Sequence, residues 1–463
     1  MARGFLALGL GEALSRLIAF GAMVYAARTL GASLYGTIGV AVAVVLYSNR
    51  VVDAGFELGL GLREIAADPS FVRRVAPAVQ TFRTALAIVV AGIVSILALA
   101  LLPAPDGAVI AVQSLTLIAV GIGTRWIHLG LGRTGLAALA ATVGQLAMAA
   151  GIILLVRGPG DVLTVPASQV VGDLIGAAIL LVALHRGGHP IGFGFDWAAL
   201  KPLLPRAWHL VASALLGIAI YSSGLLALRA LRGASDAGYY TAAYTLVTFF
   251  LNVGAMYNLS LLPSLTRLSS EPGRQRTLFA DAMVQVLAVS LPLAAGGTLL
   301  AAPLVGLVYG PSYAPAVIPF ALLLWSIPLN LARDVSLMGL MAAGEERLVF
   351  RVTVVGAVVS IGLALAMVPP FGLMGAGVAT LCAEAVRTVI AYRLARPRGY
   401  RLPGGWRTLR LGGATAAMAV AIWVLAPGRL GLGIGLGVVV YALALVATRG
   451  IVFGGPRRVE VRL

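Results

Sequence analysis

A chain of 463 residues that is 60% hydrophobic and only 11% charged, with a mean hydropathy of +0.98, carries more apolar surface than one water-soluble core of this length can hide. Its formal charge of +17 is almost entirely arginine, Lys201 being the only lysine. That balance alone could suit nucleic acid, but the arginines cluster between apolar runs, which argues against it. A bilayer is the solvent that fits: lipid leaves no backbone group unpaired, so the runs must be helices, and they lack the alternation of β-barrel strands.

Taken in chain order, apolar windows broken by Gly, Pro or Arg clusters predict about fourteen helices of bilayer length. Their approximate positions are 6–27, 37–60, 81–102, 108–128, 136–156, 163–184, 208–228, 240–262, 278–302, 316–340, 349–368, 372–394, 409–426 and 430–448. The N-terminal "MARGFLALGLGEALSRL" has a basic start but no small-residue cleavage site, and reads as the first span. Between the sixth and seventh spans lies the longest polar interruption, "HRGGHPIGFGFDWAALKPLLPR", the expected central linker.

Most of the 34 Lys+Arg fall in the C-terminal tail and in the loops after even-numbered spans. Because basic loops stay inside, both termini are expected in the cytoplasm. The sequence also repeats. "GASLYGTIGVAVAVV" (31–45) aligns with "GASDAGYYTAAYTLV" (233–247), and "GRTGLAALAATVGQLAMAAGIILLV" (132–156) with "GEERLVFRVTVVGAVVSIGLALAMV" (344–368). Each half then has six helices, an even number, so the second copy enters the membrane in the same sense as the first. The expected fold is all-α and polytopic, with two six-helix lobes related by parallel duplication plus two C-terminal helices. The expected divisions are a first lobe at 1–186, a cytoplasmic linker at 187–207, a second lobe at 208–396, and a cytoplasmic loop, two helices and tail at 397–463.

The loop "LGASLYGTIG" leading into "DAGFELGLGLREIA", followed by "VYGPSYAPAV" (308–317), "MAAGEERLVF" (341–350) and "PPFGLMGAGVATLCAEA" (369–385), resembles bacterial polysaccharide flippases of the multidrug/oligosaccharidyl-lipid/polysaccharide exporter superfamily. The similarity runs over about residues 5–400 in order and spacing. It implies a two-lobed inner-membrane transporter that moves an undecaprenyl-diphosphate-linked oligosaccharide to the outer leaflet by alternating access. Polysaccharide polymerase and other glycan-assembly proteins are possible partners, beside the membrane lipids themselves. Lipid II flippases and cation-coupled drug exporters share the superfamily's architecture and stand as alternatives.

Charges inside the spans are the candidate site residues, since each costs on the order of 3 kcal/mol at mid-bilayer and must face a partner or a wet cavity. Arg50, Asp53 and Glu57 stand at i, i+3 and i+7, one stripe of a continuous helix, and Glu12 and Arg16 at i, i+4. Arg16 and Arg50 suit a diphosphate, which a guanidinium binds in bidentate fashion without losing its proton. Asp53 and Glu57 suit ion pairing with those arginines, or exchange of H⁺ or Na⁺. In the second half, Arg333 is a candidate cavity residue and adjacent Asp334 points off its face. Glu384 and Arg387 share a face at i, i+3 and should pair. Asp173 is isolated and needs a proton or a partner from another helix. Asn252 aligns with Arg50 in the repeat, so the cationic part of the cavity is expected mostly in the first lobe.

No cofactor or metal is expected. The four histidines lack ligand spacing, and Cys382 is alone in an apolar run. "GLGRTG" (130–135) matches a dinucleotide fingerprint without the preceding strand such a site requires. A membrane polysaccharide polymerase or glycosyltransferase would need a sizeable outer loop with catalytic carboxylates, whereas the expected outer loops are short, with Asp106, Asp161 and Asp236 scattered among them. Catalysis is therefore not expected.

Overall fold

The computed structural model describes the backbone of residues 2–448, except 69, 189–191, 193 and 403, together with strands Val452–Gly454 and Arg458–Glu460. Side chains are described over 14–448, except at those positions and at 58, 253, 255, 256 and 258–260. The described residues are almost entirely helical, and the two short strands pair antiparallel, Val452 opposite Glu460.

Among the described residues, eleven segments are long and apolar enough to cross a membrane, and the chain is a multi-pass membrane protein. Two of them, Leu14–Asp53 with 40 residues and Glu346–Arg398 with 53, far exceed the roughly 20 residues of one crossing. Each breaks at a glycine with non-helical backbone, Gly31 (φ 80°, ψ 168°) and Gly372 (φ 54°, ψ −129°). The expected count of about fourteen requires that both be double passes and that the 34-residue helix Ala234–Arg267 also cross.

Polarity is inverted relative to a soluble domain. Along Ala76–Leu101 the outward residues are Ile88, Val89, Ile96 and Leu101, while Gln80 and Arg83 are buried. Such a helix is stable only where its outside meets hydrocarbon and its inside satisfies every polar group.

The chain divides into two compact units. The first holds residues 1–229 with 233–238, and the second 230–232 with 239–463. In the first, an apolar cluster of Ala26, Ile38, Val109, Met148 and Ile152 packs the helices at one level, and Phe56, Ile65, Val79, Trp126 and Leu203 pack them at another. The repeated Gly-Ala-Ser loops meet within this unit. A Cβ on Gly36 would lie 2.1 Å from the Ala234 carbonyl oxygen, and one on Gly238 would lie 1.8 Å from that of Ala32. The last glycine of each copy is thus the residue that lets one copy's backbone rest on the other's.

In the second unit, the "VYGPSYAPAV" stretch supplies Tyr309 and Tyr313, both buried with ring centroids 5.1 Å apart. The Tyr309 hydroxyl donates to the Ala242 carbonyl at 3.1 Å. The expected helix 316–340 divides into Val317–Leu324 and Ser326–Ala342. Pro328 lacks the N–H that would bond the Leu324 carbonyl, and the amide of Trp325 tightens to Leu322 at 3.2 Å instead. Pro292, by contrast, lies within the continuous helix Pro272–Leu299.

Candidate functional site

The first unit contains an open cavity of about 500 Å³. Its polar lining is Ser15, Arg16, Asn49, Arg50, Asp53, Glu57, Arg125, Gln145 and Asp173, and its remaining wall is mostly small: Ala119, Gly123, Ala137, Ala140, Ala141, Gly144, Gly172, Gly176 and Ala177. Small residues leave room between helices that larger side chains would fill.

The expected single stripe of Arg50, Asp53 and Glu57 needs correction. The α-helix Ala2–Asp53 stops at Asp53, Ala54 and Gly55 take positive φ (49° and 78°), and Phe56–Leu60 winds as a wider π-type turn before Gly61–Ala67 resumes. A carboxylate follows from this geometry as the turn's cap: Asp53 Oδ1 accepts the Glu57 amide at 3.0 Å. The three residues reach the same cavity, but around a break rather than along one helix face.

Two arginines that the sequence reading did not single out hold this turn. Arg83, buried on Ala76–Leu101, donates through Nη2 to Asp53 Oδ1 at 3.4 Å and to the Val120 carbonyl at 3.1 Å, and through Nη1 to the Gly123 carbonyl at 3.2 Å. Those carbonyls end the helix Thr116–Ile122, where the helix dipole favours a cation. Gln80 adds a 2.6 Å bond to the Gly121 carbonyl. Arg125, opening the short helix Arg125–Gly130, pairs with Glu57 at 2.5 Å. The signal for Arg83 was available in "TFRTALAIVV": an arginine inside an apolar run must be matched. Its partners were not, because they come from other helices.

Arg16 is exposed and Arg50 half-buried, both on the cavity, and among the described residues neither has a carboxylate partner. Asp173 also faces the cavity, accepting a 2.9 Å bond from Gln169 on its own helix. The Glu12 side chain lies outside the described residues.

The second-half candidates form a different arrangement. Glu384 lies buried between two arginines, one carboxylate oxygen accepting from Arg333 Nη1 and the other from Arg387 Nη1. Arg333 also bonds Asp334 through Nε at 3.1 Å and Nη2 at 2.7 Å. The expectation that Asp334 points away from its neighbour is therefore corrected: the long guanidinium folds back along the helix to reach it. Arg387 fits against Gly356, where a Cβ would come within 2.7 Å of its Nε. Asn252 is half-buried on Ala234–Arg267. Asp173 thus lies on a cavity in one unit, while Glu384 lies inside a buried ion cluster in the other.

Residues 1–269 match the family model described as polysaccharide biosynthesis protein. No curated protein sequence matches significantly. Among solved structures, the lipid II flippase MurJ in an inward closed conformation superposes with a TM-score of 0.77 at 12% identity, covering 96% of this chain and 99% of that one. An inward-facing multidrug resistance MATE family transporter of the MOP superfamily gives 0.70 at 14% identity over 86% and 98%. A Vibrio cholerae MATE transporter gives 0.52 at 16% identity over 86% and 96%. At these identities the likeness is one of fold. The family match covers more than half of the sequence, and the chain belongs to the polysaccharide biosynthesis protein family.

Proposed function

We propose that the protein is a flippase that carries an undecaprenyl-diphosphate-linked oligosaccharide from the cytoplasmic to the outer leaflet of the inner membrane by alternating access. The observation that supports this most directly is the pairing pattern of the first unit's cavity. Arg83 and Arg125 are engaged with Asp53 and Glu57, while Arg16 and Arg50 line the same space without a carboxylate partner among the described residues. Two guanidiniums without a carboxylate partner among the described residues, in a membrane-embedded cavity, suit an anion, and a diphosphate offers oxygens in the geometry that a guanidinium binds best.

In this mechanism the cavity accepts the headgroup from the cytoplasmic leaflet, Arg16 and Arg50 compensate its phosphates, and the polyprenyl tail stays in lipid. The shift to the outward state must come from different affinities of the cargo, or of a coupling H⁺ or Na⁺, for the two states; Asp173 on the cavity wall is the acid placed to take such an ion. Both termini and the basic loops are cytoplasmic, and the protein acts as a transporter rather than an enzyme. A lipid II flippase is a second reading, favoured by the fold shared with MurJ over 96% of the chain. A cation-coupled drug exporter would want a cavity without unmatched arginines.

The experiment is reconstitution into vesicles with fluorescent undecaprenyl-diphosphate oligosaccharide or lipid II, read by the label reaching the opposite leaflet. Flipping of the oligosaccharide lipid, lost in Arg50→Ala, supports the proposal. Flipping of lipid II alone supports the second reading. Flipping unaffected by both Arg16→Ala and Arg50→Ala removes the arginines from the mechanism.

A further inference from the structure

In the second unit, the loop joining Glu346–Ala395 to Gly405–Leu425 folds against the start of Pro272–Leu299 and borders two adjoining open clefts of about 330 and 410 Å³. Arg276 and Arg401 line both, and Arg396 lines the larger. Arg407 and Asp281, which also line the smaller cleft, pair with each other at 2.9 Å, and neighbouring Arg398 pairs with Glu345 at 2.5 Å. Arg276, Arg396 and Arg401 have no carboxylate partner among the described residues.

The clefts are built rather than incidental. Tyr400 is buried with its ring centroid 4.9 Å from that of Phe279, which anchors the loop to the helix carrying Arg276. Gly399 has φ +90°, and a Cβ there would lie 2.2 Å from Arg276 Nε, so glycine alone lets that guanidinium lie against the loop's backbone. Beside the arginines stand three large apolar side chains turned outward, Leu402, Trp406 and Leu409, with Trp406 67% exposed and Arg410 over its ring at 5.2 Å.

We propose that these clefts bind the phosphodiester headgroup of an anionic membrane phospholipid, with Arg276, Arg396 and Arg401 on the phosphate and Leu402, Trp406 and Leu409 among the acyl chains. Guanidiniums without carboxylate partners select the anion, and the apolar fringe selects a lipid over a soluble phosphate. The site is independent of the cargo proposed above and belongs to a loop that the arginine bias of the sequence assigns to the cytoplasmic side.

Trp406 reports on the site directly. The full-length protein is reconstituted into vesicles of phosphatidylcholine containing either brominated phosphatidylglycerol or brominated phosphatidylcholine. The Trp406 contribution to fluorescence is taken as the difference from Trp406→Phe. Stronger quenching by the brominated phosphatidylglycerol at equal mole fraction is expected, and the preference should fall about fivefold in each of Arg276→Gln and Arg401→Gln. Both side chains are exposed, so unchanged helical circular dichroism is expected in both variants. Equal quenching by the two lipids, or a preference that survives both substitutions, overturns the proposal. Loss of the preference on adding inorganic phosphate, but not on adding chloride to the same ionic strength, also overturns it by showing a site for soluble phosphate.

Discussion

Asp53 and Arg83 meet at 3.4 Å inside the first unit, their side chains 3% and 1% exposed, while Arg50, one turn earlier on the helix that ends at Asp53, opens on the cavity. Two arginines of the same unit therefore have opposite assignments. One closes a backbone turn, and the other has no carboxylate partner among the described residues.

Replacing Arg50 by alanine should weaken diphosphate-lipid binding about 10- to 100-fold, the value of one or two charge-assisted hydrogen bonds of about 1.5–3 kcal/mol, with membrane insertion intact. Arg50→Lys should recover only part, because an ammonium cannot bind two oxygens in the fork geometry. Titration with a labelled undecaprenyl diphosphate, alongside thermal unfolding in detergent, separates lost binding from lost folding.

Arg83→Ala should instead destabilise, by about 3–5 kcal/mol, since it takes a buried cationic partner from Asp53 and removes the guanidinium bonded to the carbonyls of Val120 and Gly123. The double change Arg83→Met with Asp53→Leu should be milder than Arg83→Ala because no charge is left unmatched. Chemical unfolding of the unsubstituted protein and the two variants in detergent measures the difference.

In the second unit, Glu384→Ala should be more damaging than Asp334→Ala. Glu384 is 2% exposed and serves both Arg333 and Arg387, whereas the Asp334 side chain is 24% exposed and serves Arg333. About 3–5 kcal/mol is expected for the first and about 1 kcal/mol or less for the second. Their unfolding midpoints, compared in one detergent, give the order.

A methyl group on Gly238 would collide with the Ala32 carbonyl oxygen, and backbone cannot step aside as a side chain can. Gly238→Ala should part the two Gly-Ala-Ser loops at a cost of about 1–3 kcal/mol. In a Cys382→Ala background, Ala32→Cys should then react faster with a membrane-impermeant maleimide when Gly238→Ala is present than when it is not. An unchanged rate would mean that the loops yield without separating.

Helix periodicity, the bilayer requirement and the placement of arginines belong to the chain itself, because hydrocarbon admits one backbone solution and prices every charge alike wherever it falls. Arg16, Arg50, Asp173, Glu384 and Arg387 could therefore be singled out as residues needing company. The Glu384–Arg387 pair at i, i+3 could be read from spacing, but partners supplied by other helices could not. Asp53 turned to Arg83 and Glu57 to Arg125, residues 30 and 68 positions away on helices whose rotation depends on how every neighbour packs. The reversal at Ala54 and Gly55 likewise replaced a continuous helix face with a turn, since a glycine permits positive φ without requiring it. Sequence by itself determined the solvent, the helical character and many of the charges that need a partner. Only the tertiary structure decided which of those charges cancel and which face open space, because an ion pair is a matter of a few ångströms between segments that no spacing along the chain constrains.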